Sequence, residues 1–190
     1  MLLVEFTPIA LFILNRKKKS YINPIFLFVF FSFSFEVLSK ISAIFFGTNL
    51  LVFNLYGLFE FFALIAFFYS IDYDKKILVL CFFLFLIVYI LQFKTNKTMD
   101  ISYVLGSIIW IFLSITSLIN IIKYSNEEMG TKFYFICSIL FYNATTIVLF
   151  SIIYLLVKSE NSIWIIHSFL KTISITITSY AIWKLPSKSI

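Results

Sequence analysis

Charge is scarce in this chain: only 13% of its 190 residues are Asp, Glu, Lys or Arg. A soluble surface needs roughly a quarter or more charged residues, so a water-soluble globular domain is excluded. Glycine and proline are scarce too, at four and three, which excludes Gly/Ser linkers and glycine-rich phosphate loops. Two cysteines, Cys81 and Cys137, and a single histidine, His167, build neither a zinc site nor a disulfide framework. Both cysteines fall inside apolar runs, where buried thiols are expected. The three aspartates, Asp72, Asp74 and Asp100, all fall in gaps between those runs. No nucleophile elbow, HExxH, P-loop or EF-hand pattern occurs, so catalysis, metal binding and cofactor binding have little support.

What is abundant is apolar surface: 62% hydrophobic residues, with 26 Phe. Long apolar stretches of about 20 residues read as transmembrane helices. Seven are expected, at 2–15, 22–44, 50–71, 77–93, 101–122, 133–157 and 162–184. The fold class is therefore all-α, a polytopic transmembrane helix bundle forming one domain over 1–190. The remaining residues suffice for short loops and tails, with no folded catalytic or nucleic-acid-binding lobe. Asn23-Pro24 predicts a cap followed by proline in the first turn of span 2.

The net charge of +6 sits in the gaps, the pattern of a topology signal rather than of a nucleic-acid surface. With the N-terminus outside, inner segments hold Arg16, Lys17, Lys18, Lys19, Lys75, Lys76, Lys123, Lys132, Lys184 and Lys188. Outer segments hold only Lys40, Lys94, Lys97 and Lys158. This bias predicts N-out and C-in. Span 1 covers only about 21 Å of a core about 30 Å thick, so either the natural start lies upstream or the span is tilted or recessed. Intact mass of the native protein distinguishes these. Asn96-Lys97-Thr98 matches a glycosylation sequon in an outer loop.

Ionisable side chains inside the spans are the main chemical handle, since a charge at the centre of a membrane helix costs about 2.5–3.5 kcal/mol on insertion scales. Counting helix rise places Glu60 about 15 Å and Lys171 about 14 Å below the outer edge, with Glu5 also near mid-membrane. Glu36 and His167 lie higher, about 9 and 8 Å deep. Lys40, one turn above Glu36, can snorkel outward or form a local pair with it. His167, Lys171, Ser174 and Thr178 share a stripe on span 7, and Tyr56 stands one turn above Glu60. Ser107, Trp110, Ser114 and Ser117 share a face of span 5, and Ser138, Tyr142 and Thr145 one of span 6. Helix–helix packing explains most Ser, Thr and Asn stripes. Glu36, Tyr56, Glu60, His167 and Lys171 are the candidate ligand-binding or proton site; Trp110 and Trp164 could line it.

Tyr56-x-x-x-Glu60, and the Trp164-Ile165-Ile166-His167 opening of a last span ending Ala181-Ile182-Trp183-Lys184, resemble a loose group of small bacterial seven-span proteins. Some of these are similar to the membrane sensing parts of histidine kinase systems. The resemblance covers the layout of the whole chain through short motifs. It implies Glu60 and His167 as signature positions and nothing about a ligand; Lys171 lies outside its pattern. A bacterial inner membrane is the expected location, and a membrane histidine kinase the expected partner, because no output domain is expected in this chain. The expected function is a ligand-sensing or signalling membrane module with an outward-facing polar pocket. The alternatives are a small proton-coupled transporter using Glu60 and, third, a membrane-embedded lipid enzyme. The lipid bilayer is the expected surrounding partner, with no nucleic acid and no cofactor.

Overall fold

A computed structural model describes residues 2–14, 22–47, 50–94, 100–124, 130–156 and 160–183. Seven helices occur among them: α1 (Leu2–Leu14), α2 (Ile22–Phe46), α3 (Leu50–Ser70), α4 (Lys75–Lys94), α5 (Asp100–Tyr124), α6 (Thr131–Leu156) and α7 (Glu160–Trp183). Each expected apolar run coincides with one helix. Four carry a segment long and apolar enough to cross a membrane: Asn23–Phe46, Lys75–Gln92, Ser102–Lys123 and Thr131–Leu149. Leu55–Ser70 is a shorter apolar segment. Pro24 sits in the first turn of α2, as expected, but Asn23 is already helical rather than a cap. Helix α1 is about 20 Å long and contains Pro8, which removes one backbone hydrogen bond. The basic run 16–19 and the Asn96-Lys97-Thr98 sequon lie outside the described residues.

The chain divides into two compact units, Leu2–Ile9 with Lys17–Gly106 and Ala10–Arg16 with Ser107–Ile190. In the first, α2 and α3 run antiparallel, joined by rings: Phe31 lies 5.2 Å from Phe59, and Phe35 lies 5.7 Å from Tyr56. Phe6 of α1 meets Phe33 at 5.9 Å. Phe61 of α3 stacks on Phe85 of α4, with centroids 3.8 Å apart and planes 7° from parallel. Gln92, near the end of α4, accepts a 2.8 Å hydrogen bond from the Ser102 backbone N–H, satisfying an orphan donor in the first turn of α5.

The α3–α4 turn is closed by its own sequence. Asp72 adopts φ 61°, the left-handed conformation that ends helices. The Tyr73 N–H bonds the Phe68 carbonyl at 3.1 Å and the Asp72 N–H bonds that of Tyr69 at 3.2 Å, the paired bonds of a Schellman motif. The hydrophobic contact that accompanies the motif is Tyr73 against Phe68, 5.9 Å between centroids. Asp74 then caps α4, accepting the Lys76 N–H at 2.8 Å. That cap explains why α4 starts at Lys75, two residues before its apolar run. Lys75 stands over the Tyr69 ring at 5.1 Å. Removing the cap with Asp74→Ala is expected to cost about 0.5–2 kcal/mol. Asp72→Gly, which removes the Cβ penalty at positive φ, is expected to gain up to about 1 kcal/mol. Thermal unfolding of the two variants should therefore shift in opposite directions.

In the second unit, α6 and α7 are also antiparallel. Tyr134 meets Tyr180 edge-on at 5.0 Å. One turn along α6, the Ser138 hydroxyl lies 2.8 Å from the Ser174 carbonyl, from the Ser174 hydroxyl and from the Thr178 hydroxyl.

The outer surface is apolar, unlike that of a soluble protein. On α5, Ser107, Trp110, Leu113, Ser114 and Ser117 are buried along one face, whereas Ile108, Phe112, Ile115, Ile119 and Ile122 are exposed on the other. On α4 an exposed stripe consists wholly of Val79, Leu80, Phe83, Leu84, Ile87, Ile90 and Leu91. Water would penalise these surfaces by about 25 cal/mol per Å²; hydrocarbon does not. Apolar faces this extensive mark contact with lipid or with other apolar surfaces. Together with the four membrane-length helices, they make the chain an integral membrane protein.

Candidate functional site

The candidate residues divide between the two units. Glu36, Tyr56 and Glu60 belong to the first, and Lys171 to the second. The side chains of Glu5, Trp164 and His167 lie outside the described residues.

Glu36 finds its local partner. Its carboxylate is 3.6 Å from the Lys40 ammonium one turn on, with the Glu36 side chain 17% and the Lys40 side chain 48% exposed. The i, i+4 pair on a half-exposed helix contributes a few tenths of a kcal/mol. Tyr56 is half-buried, with its ring against Phe35. Because Phe35 also lies 5.5 Å from Phe59, Glu36 stands near the level of Tyr56. Glu60, four residues further along α3, is then about 6 Å away along the helix axis. The two carboxylates therefore stand at two levels along the α2–α3 pair.

Glu60 is the buried one, at 8% exposure. Its place on α3 follows from the helix period. Phe59 faces α2 and Phe61 faces α4. At 100° per residue, Glu60 points to a third face, shared with Leu64 and Phe67 at spacings of four and three. Both of those are essentially inaccessible, and Phe61 is nearly so. A carboxyl group thus heads the most tightly enclosed apolar stripe of the helix, and burying such a group is costly unless it is paired or neutral.

On α7 the polar stripe resolves into two parts. Ser174 and Thr178 face α6, where Ser138 is the hub. Its proton can go to the Ser174 carbonyl while its oxygen accepts from the Ser174 and Thr178 hydroxyls. Such interhelical hydroxyl contacts are worth roughly 0.6–2 kcal/mol. Lys171 lies one turn from Ser174 on the same stripe and is half-buried. Ser138→Ala is expected to destabilise the protein by about 1–2 kcal/mol. Thr176→Ala, at an exposed hydroxyl that bonds only its own helix at Thr172, should change little. Unfolding in detergent compares them.

Packing reasoning anticipates both stripes, but not that these two meet. Nor do the stripes reveal the Gln92 bridge to α5. Asp74 carries a legible signal, an acidic residue immediately before an apolar run. The two cysteines are free and half-buried rather than fully enclosed. Among the described residues, no group of three His, Cys, Asp or Glu side chains could hold a metal ion. No protein-family model, curated protein or solved structure matches the chain.

Proposed function

We propose that the chain is a seven-span sensing module of a bacterial inner membrane, N-out and C-in. In this reading Glu36, Tyr56 and Glu60 of the first unit line an outward-opening polar site, His167 and Lys171 are polar positions of the second unit, and a partner membrane histidine kinase relays the signal. The observation that carries the pocket is the burial of Glu60 at the head of an apolar stripe, because intramembrane carboxylates mark functional sites by default. The closed α3–α4 turn supports the orientation. It leaves no room for a folded lobe and carries Lys75 and Lys76, which favour the inner side. Lys75 over Tyr69 is the aromatic–cation pairing common at a membrane interface.

The same carboxyl favours a second reading, a small carrier in which Glu60 takes up and releases a proton. A thermal-shift screen of the purified protein against small anionic, cationic and zwitterionic solutes tests the first reading. At least one solute should raise the Tm of the native chain and fail to do so in Glu60→Gln. No such solute, together with a proton flux in proteoliposomes that Glu60→Gln abolishes, would establish the carrier instead.

A further inference from the structure

Beside the interhelical Ser138 contacts, some hydroxyl groups of the second unit bond back to their own helix and others do not. Thr116 bonds back to the Phe112 and Leu113 carbonyls at 2.9 and 3.1 Å. Thr145 does the same to Phe141 and Tyr142 at 2.8 and 3.0 Å. Their immediate neighbours do not. The hydroxyls of Ser114 and Ser117 lie either side of Thr116, and that of Thr146 follows Thr145; these three, with Thr131 at the start of α6, are buried and have no hydrogen-bond partner in the protein among the described residues. Ser114 is 0% exposed and Ser117 is 4% exposed. A buried hydroxyl without a partner is destabilising, and native structures rarely keep one unexplained. Here two occur three residues apart on the face of α5 that also carries the buried Trp110.

We infer that this face of α5 is a hydrated site, in which a water molecule bridges the Ser114 and Ser117 hydroxyls beside the Trp110 indole. Side chains three apart on a helix have Cβ atoms about 5–6 Å apart. One water, bonding at about 2.8 Å to each oxygen, spans that distance. A buried water needs two to four polar partners. The two hydroxyls supply two. The recurrence at Thr146 of α6 places the same chemistry on a second helix of the same unit. This inference rests on α5 alone and stands whether or not Glu60 belongs to a pocket.

The double variant Ser114→Ala/Ser117→Ala, compared with the native chain in lipid nanodiscs, tests it by sign. Partnerless hydroxyls in a dry core oppose folding, so their removal would raise Tm. Water-bridged hydroxyls contribute to folding, so their removal is expected to lower Tm by roughly 2–4 °C for each kcal/mol lost. Radiolytic hydroxyl-radical labelling gives an independent readout. Trp110 is buried, yet a water held beside it should make it label readily in the native chain and several-fold more slowly in the double variant. A rise in Tm, or equal Trp110 labelling in the two proteins, overturns the inference.

Discussion

Leu84→Arg is expected to lower the insertion of α4 by two orders of magnitude or more. Leu84 lies at the middle of the helix, on its exposed apolar stripe. At a surface facing water, exchanging an exposed Leu for Arg changes stability by no more than about 0.5 kcal/mol. At the centre of a bilayer, Arg costs about 2.5–3.5 kcal/mol and the departing Leu forfeits about 0.5 more. The sum, about 3–4 kcal/mol, is a factor of more than a hundred in the insertion equilibrium. A glycosylation-mapped insertion assay on the α3–α4 segment measures it directly. Wild-type insertion in Leu84→Arg would show that the stripe faces something other than lipid.

Phe67→Ala should be the most damaging single truncation. Phe67 is fully enclosed, and its ring meets Phe68 edge-on at 5.4 Å. Phe→Ala in a core costs about 3–5 kcal/mol through lost transfer energy plus the cavity left behind. In a bilayer the transfer part shrinks, because lipid is as apolar as the core, while lost packing remains. A loss near about 3 kcal/mol is therefore expected, at the bottom of that range. Leu80→Ala, two-thirds exposed on α4, serves as the control and should be close to neutral. Thermal unfolding in detergent or nanodiscs compares them. Equal effects at the two positions would mean that α3 is not packed as described.

The positions of the helices were legible because the physics that sets them is local. An apolar run about 20 residues long has one stable form in hydrocarbon, and charges mark where it must end. The offset of Glu36 and Glu60 along the helix pair is legible for the same reason, since helix rise converts sequence separation into distance. What lay beyond reach was pairing. Ser138, Ser174 and Thr178 each announced a polar face, but faces do not name their partners, and nothing in the sequence chose α7 for α6 over another helix. The local pairing of Glu36 with Lys40 is legible from their i, i+4 spacing, and the structure shows it at 3.6 Å. Asp72 left only a faint trace, because an Asp accepts the left-handed conformation that glycine would advertise.

The closed turn between α3 and α4 also bears on how the chain is made. Helix α3 carries a carboxyl at mid-length and is a reluctant entrant to hydrocarbon. Helix α4 has no charged side chain between Lys76 and Lys94 and enters readily. Four residues, Ile71, Asp72, Tyr73 and Asp74, separate them, too few for one helix to wait in water while the other is threaded. In the proposed seven-span topology the pair enters as a hairpin, in which the eager partner offsets the cost of the other. In that topology a longer turn uncouples the two, and α3 then bears the cost of Glu60 alone.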